Sequence, residues 1–228
     1  GYKLERRNRR DGPLGGVLCY IRDDLCYQRR PDLEIVEIES IWIEFLFPKS
    51  KPFLVSTMYK PPDGSDYLDE NFLSNLDNML STAISENKEI IITGDLNCDY
   101  LEPSDHLDIK NTFKAFGLTQ AIKSATRTAI RTNGTSKTLI DIVLTTDYNK
   151  IATSIVDANS FSDHDLVGIS RKIHVKSKYN SQNIYVRDYS KYDKDSFKEE
   201  LRNTPWEECL KQPNVNSCWN LFKVFLTT

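Results

Sequence analysis

The chain has 228 residues, 39% of them apolar and 28% charged, with 9 Gly, 9 Pro and a net charge of −3. These values fit one large folded domain, or a domain with a short appendage, and exclude collagenous, low-complexity and wholly disordered chains. A net negative chain does not bind nucleic acid by bulk charge, so any phosphate-handling site has to be local, built with a metal or a few Lys and Arg.

The basic runs at 3–10 and 123–131 read equally well as solvated surface. No apolar run approaches a membrane span, so no membrane contact is expected, and no targeting segment is visible. Five cysteines (Cys19, Cys26, Cys98, Cys209 and Cys218) are widely spaced and form no C-x-x-C. That argues against zinc and a disulfide framework and for a reducing intracellular compartment. The chain begins at Gly1 rather than Met and is expected to be a piece of something longer.

In chain order, residues 14–21, 34–47 and 53–59 alternate as strands. Within 34–47 one face turns apolar only from Ile41, so that strand is expected to begin exposed and become buried late. The third strand stops at Lys60-Pro61-Pro62-Asp63-Gly64, which cannot continue a ladder. Leu68, Phe72, Leu73, Leu76, Met79, Leu80 and Ala83 recur at threes and fours and predict a helix over 67–86. A buried-type strand over 89–93 ends at Gly94, and a second helix over 106–116 is closed by Gly117. Strands are expected again at 138–145, 151–156 and 166–175. A helix between strands implies a mixed sheet covered by helices, an α/β layered domain. Near residue 176 the character changes. A polar stretch leads to helical patterns over 192–203 and 215–226, which suggests domains at 1–175 and 176–228.

Three segments place polar residues at or in apolar strands. Asp95 and Asn97 close the run Ile90–Asn97. Two residues apart, they point the same way in an extended chain and could hold a metal-bound phosphate and a water, though Gly-Asp-x-Asn is equally good turn chemistry. Ser162-Asp163-His164-Asp165 precedes a strand and reads either as an acid–base or phosphate-binding pair or as a turn with a surface histidine. Asp141 sits inside Thr138–Leu144. It points to solvent or, if buried, needs a partner, and His164 is the natural one among three histidines.

Taken in order, GGVLCYI (15–21), MYKPP (58–62), IIITGDLN (90–97), LIDIVLT (139–145) and SDHDLVGI (162–169) resemble the endonuclease/exonuclease/phosphatase superfamily. The resemblance is greatest to the apurinic-type endonuclease domain of non-LTR (LINE-type) retrotransposon polyproteins. It implies a DNase-I-like fold, a four-layer α-β-β-α sandwich of two mixed sheets, with residues 183–228 similar to the helical connector that joins such domains to a reverse transcriptase. It implies catalytic roles for Asp95 (water activation), Asn97 (the scissile phosphate), His164 (phosphate charge), Asp141 (orienting His164) and Tyr59 (phosphate contact). It implies substrate contact by Thr126, with Thr128 the alternative, and by Ser162 and Asn97, and metal contact by Asp163 and Asp95. The implied cofactor is Mg²⁺ or Mn²⁺, which takes oxygen ligands, and the implied partner is DNA, which would place the protein's work in the nucleus.

One departure stands out. Residues 1–14 contain no counterpart to the family's first strand or to the metal-binding glutamate after it, and Glu5 lies in a charged segment with no apolar strand before it. The expectation is an N-terminally truncated domain, inactive or nearly so, unless another carboxylate such as Glu44 or Asp99 takes over the metal. The competing readings are a catalytically dead binding module and, third, a phosphatase of the same superfamily.

Overall fold

In the computed structural model, which describes residues 1–9, 15–131, 134–158, 162–173 and 193–227, the order of elements is as follows. Strands β1 (Tyr2–Asn8), β2 (Gly16–Arg22), β3 (Tyr27–Arg29), β4 (Glu39–Phe45) and β5 (Phe53–Tyr59) precede helix α1 (Phe72–Ser85). Then come β6 (Glu89–Asp95), α2 (Leu107–Ala115), β7 (Thr119–Gln120), β8 (Arg127–Arg131), β9 (Gly134–Thr138), β10 (Asp141–Thr145), β11 (Ile151–Asp157) and β12 (Leu166–Arg171). Helices α3 (Lys194–Asn203), α4 (Glu207–Leu210) and α5 (Val215–Thr227) follow. Chain contacts fall into two compact units, Gly1–Lys176 and Ser177–Thr228.

The first unit is built on a six-stranded mixed sheet of order β3-β4-β5-β6-β10-β7, in which only β5 and β6 run parallel. That parallel pair is the one joined by a helix, as a crossover requires. One sheet face carries Trp42, Leu54, Met58, Ile90 and Ile92 and buries them with Leu76, Met79 and Leu80 of α1. The Trp42 indole Nε1 donates to Met79 Sδ at 3.3 Å across this contact. The other face is covered by two antiparallel ribbons, β1–β2 against β4 and β5 and β11–β12 against β10. Ile21 of β2 packs there on Ile41 and Ile43. The fold is thus the layered α/β class expected, with the second sheet present as two ribbons among the described residues. The hairpin β8–β9 makes a separate two-stranded sheet.

Several boundaries differ from the pattern-based expectation, among them the strand expected over 138–145, which begins at Asp141, so that this acid starts the strand rather than sitting inside it. The strand over 34–47 begins only at Glu39, because Pro31–Leu33 forms a 3₁₀ turn and Ile38 N–H closes a further turn onto the Ile35 carbonyl. The charged start is a strand, solvated on its outer face as expected, with Glu5 and Arg7 turned inward. Its inward side chains are polar and bonded. Glu5 accepts from the Tyr27 hydroxyl at 2.9 Å, Arg7 donates to the Ile35 carbonyl at 2.7 Å, and Arg9 pairs with Glu39 at 2.6 Å. Glu5 is therefore a structural acid. The helix over 67–86 starts later, at Phe72, while α2 ends as expected before Gly117, whose φ is +74°.

In the second unit, Asp193 caps α3 by accepting from the Asp195 and Ser196 amides, and Trp206 packs on Phe222 and Phe225 of α5. The strand expected over 166–175 ends at Arg171, and residues 174–192, with the polar stretch, lie outside the described residues. All five cysteines are free thiols, and no described helix is long and apolar enough to cross a membrane.

Candidate active site

The site forms where β6 ends and β10 begins. Antiparallel register sets Asp95, the last residue of β6, directly opposite Asp141, the first of β10. Facing residues of an antiparallel pair share a sheet face with Cβ atoms about 5 Å apart, so two carboxylates are forced together. Gly94 makes this approach feasible. Its φ is +141°, and a Cβ there would lie 1.8 Å from the Met58 carbonyl oxygen, so only glycine lets β6 pass β5 so closely. Beyond the last ladder pair, the Lys60 amide donates to the Asp95 carbonyl at 2.9 Å and holds the ends of β5 and β6 together.

His164 meets Asp141. Its Nδ1 lies 3.0 Å from Oδ2 and 3.1 Å from Oδ1. Thr126 supports the pair from below. It is fully buried, its hydroxyl donates to Asp141 Oδ2 at 2.7 Å, and its oxygen accepts from the amides of Asp141 (3.0 Å) and Ile140 (3.2 Å). Asp95, Asp141 and His164 each offer a ligand atom within 4.8 Å of the others, the one such group of three or more acids, histidines or cysteines among the described residues. Burial pushes the Asp95 carboxyl above its ordinary range. The Asn97 amide opposes that shift and the neighbouring Asp141 charge adds to it.

The other expected residues sort around this group. Asn97 adopts φ +49°, so the alternation argument stops at Asp95. Its amide N–H donates to Asp95 Oδ1 at 2.9 Å and its Nδ2 to the Lys60 carbonyl at 2.9 Å. Tyr59 ends β5 on the Asp95 side of the sheet, with the Arg9 guanidinium 5.9 Å from its ring centre. Ser162 shapes the loop, its hydroxyl accepting from the His164 amide at 3.1 Å.

Asp163 is not in the group. It pairs with Arg127 at 2.7 Å, and that bond holds its carboxyl below the usual range. The chain bends at Ser162 and Asp163, which leaves the Asp163 side chain outward on Arg127 while His164 turns to Asp141. Thr126, expected to touch substrate, has no exposed surface and instead positions Asp141. Thr128 is half-buried and its amide donates to the Asp163 carbonyl.

The two carboxylates considered as replacement metal ligands are used elsewhere. Asp99 accepts from the Leu139 and Leu101 amides, and Glu44 pairs with Arg30 and Lys88. Pattern reading also missed Lys60, which is 2% exposed and lies under the Asn97 loop with Nζ 2.9 Å from Asp63.

The family described as endonuclease-reverse transcriptase matches residues 53–167, just over half of the chain. Among solved structures, the endonuclease domain of TRAS1, a telomere-specific non-LTR retrotransposon, superposes with a TM-score of 0.62 at 16% identity, covering 76% of this chain and 81% of that one. A functionally unknown conserved protein from Enterococcus faecalis V583 gives 0.50 at 14% identity over 75% of this chain and 77% of its own. A mannosyl-6-phosphatase of Bacteroides thetaiotaomicron VPI-5482 gives 0.48 at 14% identity over 76% and 78%. No curated protein matches the sequence.

Proposed function

Because this chain belongs to the endonuclease-reverse transcriptase family, within the endonuclease/exonuclease/phosphatase fold, we propose that the Asp95–Asp141–His164 group serves phosphodiester hydrolysis in DNA. The observation that carries the reading is the His164–Asp141 contact at 3.0 Å set directly across from a half-buried Asp95. In this scheme Asp95 takes a proton from the attacking water. The water oxygen bonds to phosphorus as the bond to the 3′ oxygen breaks, and that oxygen leaves as a hydroxyl after taking up a proton. With Nδ1 engaged by Asp141, His164 uses Nε2 to donate to a phosphoryl oxygen and stabilise the charge that builds there. Asn97 and Tyr59 flank the phosphate, and Ser162 holds the His164 backbone.

A divalent cation fits one part of this constellation. Asp95 is a half-buried carboxylate whose pKa is raised by desolvation and to which no cationic side chain is bonded among the described residues, as a metal ligand would be. Asp95, with the Asn97 amide oxygen, would hold Mg²⁺ or Mn²⁺, which supplies charge neutralisation at the phosphate. Asp163 does not fit, because it is committed to Arg127. Asp141 is likewise committed, to Thr126 and His164, so this chain taken alone binds the ion weakly and turns over slowly. The proposed setting is a retrotransposon polyprotein acting in the nucleus, with residues 176–228 joining the domain to a reverse transcriptase.

The test is Mg²⁺-dependent nicking of supercoiled plasmid. Asp95→Ala and His164→Ala should each lower the rate by about 10²–10³-fold. Nicking that survives both substitutions, or that persists in chelator, would remove the assignment.

A further inference from the structure

At the far end of the central strands from this site lies a cavity of about 1020 Å³. Strand β6 starts at its wall with Glu89 and ends at Asp95, six residues later, which separates the two places by roughly 20 Å. The cavity is walled by the β4–β5 loop, the ends of α1 and α2, and the segments flanking β11–β12.

Part of its charge is answered internally. Glu89 accepts from Arg171 at 2.7 and 2.8 Å and from Lys150 at 2.7 Å, and Lys150 also reaches Asp147 at 3.3 Å. Lys88 is held by Glu44 and Glu86. Three further lining lysines, Lys49, Lys51 and Lys172, have no carboxylate partner among the described residues, and Lys172 Nζ reaches only the Asn149 carbonyl, at 3.0 Å. The C-terminal ends of α1 and α2 bring about half a negative charge each, too little to balance three lysines. In a chain of net charge −3, this is a local excess of cations. Between these cations the wall offers Phe116, Ile84 and Pro52, all half-buried.

We propose that this cavity is a second nucleic-acid site, which takes the sugar–phosphate backbone of a single strand. It is separate from the hydrolytic group and does not depend on that group's activity. Exposed lysines on two segments, Lys49 and Lys51 on the β4–β5 loop and Lys172 after β12, suit a row of phosphates read without regard to sequence. A ring between them suits a stacked base. The volume reaches the upper end of small-ligand pockets, about 1,000 Å³, more than one phosphate fills.

The test is binding of a labelled single-stranded oligodeoxynucleotide in chelator, measured across a salt series. Combining Lys49→Ala, Lys51→Ala and Lys172→Ala should weaken binding and lower the slope of log affinity against log salt by roughly 2, at about 0.7 per phosphate contact. The corresponding triple Lys→Arg variant should keep both, and Asp95→Ala with His164→Ala should leave the slope unchanged. Circular dichroism would confirm that each variant is folded. The proposal is overturned if the wild-type chain does not bind. It is also overturned if the alanine triple binds with unchanged slope, if the Asp95/His164 variant loses the binding instead, or if poly-glutamate competes as well as DNA does.

Discussion

The two ends of β6 handle partly buried carboxylates in opposite ways. At the Glu89 end the acid is answered by Arg171 and Lys150. Burial alone would push its carboxyl up, yet those bonds outweigh burial and hold it below the usual range. At the Asp95 end a second acid is placed opposite the first, no cationic side chain bonds Asp95 among the described residues, and the carboxyl is pushed up. A left-handed Asn97 and a glycine that no other residue can replace sit at the same end. One strand thus carries an end arranged for stability and an end where local favourable choices are set aside, the pattern expected where a fold carries chemistry.

Substitutions should separate the two ends by sign and size. The largest effect belongs to Glu89→Ala, which strands Arg171 and Lys150 and should cost about 3 kcal/mol in urea unfolding. A loss below about 1 kcal/mol, the range of surface pairs, would show that this end is not a stability device. Thr126→Val comes next. It removes the donor to Asp141 and leaves two amides unpaired, costing about 1–3 kcal/mol, and nicking should fall with it as Asp141 loses its orientation. Asp95→Asn should act in the opposite direction, raising stability by up to about 1 kcal/mol while abolishing nicking. A destabilised Asp95→Asn protein would break the comparison.

The smallest effect is the pH dependence. The stability from Glu89 is present at neutral pH and is lost as pH falls through its lowered pKa. The Asp95 penalty is present above its raised pKa and is relieved as pH falls through it. The gain from Asp95→Asn should therefore shrink on acidification, while the loss from Glu89→Ala should also shrink, at lower pH. Thermal melts of both variants from neutral to acidic buffer would check the order.

Much of the Asp95 end was legible in the sequence. An apolar run stopping at Gly94-Asp95 marks a strand end, and a carboxylate inside Leu139–Leu144 demands a partner, which led to His164. The roles of Thr126 and Asp163 were not legible. Whether a threonine hydroxyl faces substrate or a buried carboxylate depends on packing, and the outward turn of Asp163 depends on Arg127, distant in sequence. Strand β1 escaped notice because its inward face is Glu5 and Arg7, satisfied by ion pairs and carbonyls rather than by apolar burial. The hairpin β8–β9 escaped for a related reason. Ile130 is 86% exposed and β9 is largely solvent-facing, so no alternation is imposed on it. Hydrophobic periodicity reports burial, and neither element depends on it.

The sheet order also has a temporal meaning. Strand β10 enters between β6 and β7, both of which precede it in the chain, so the sheet cannot be completed by adding strands in order of synthesis. Contacts of such wide sequence separation are costly to close and come late in folding. Asp95 and Asp141 face each other only once that insertion is made, and His164 follows from further along still. A partly folded chain can therefore hold the β4–β5–β6 core against α1 without yet possessing the hydrolytic group, so the site is withheld until the central sheet is closed.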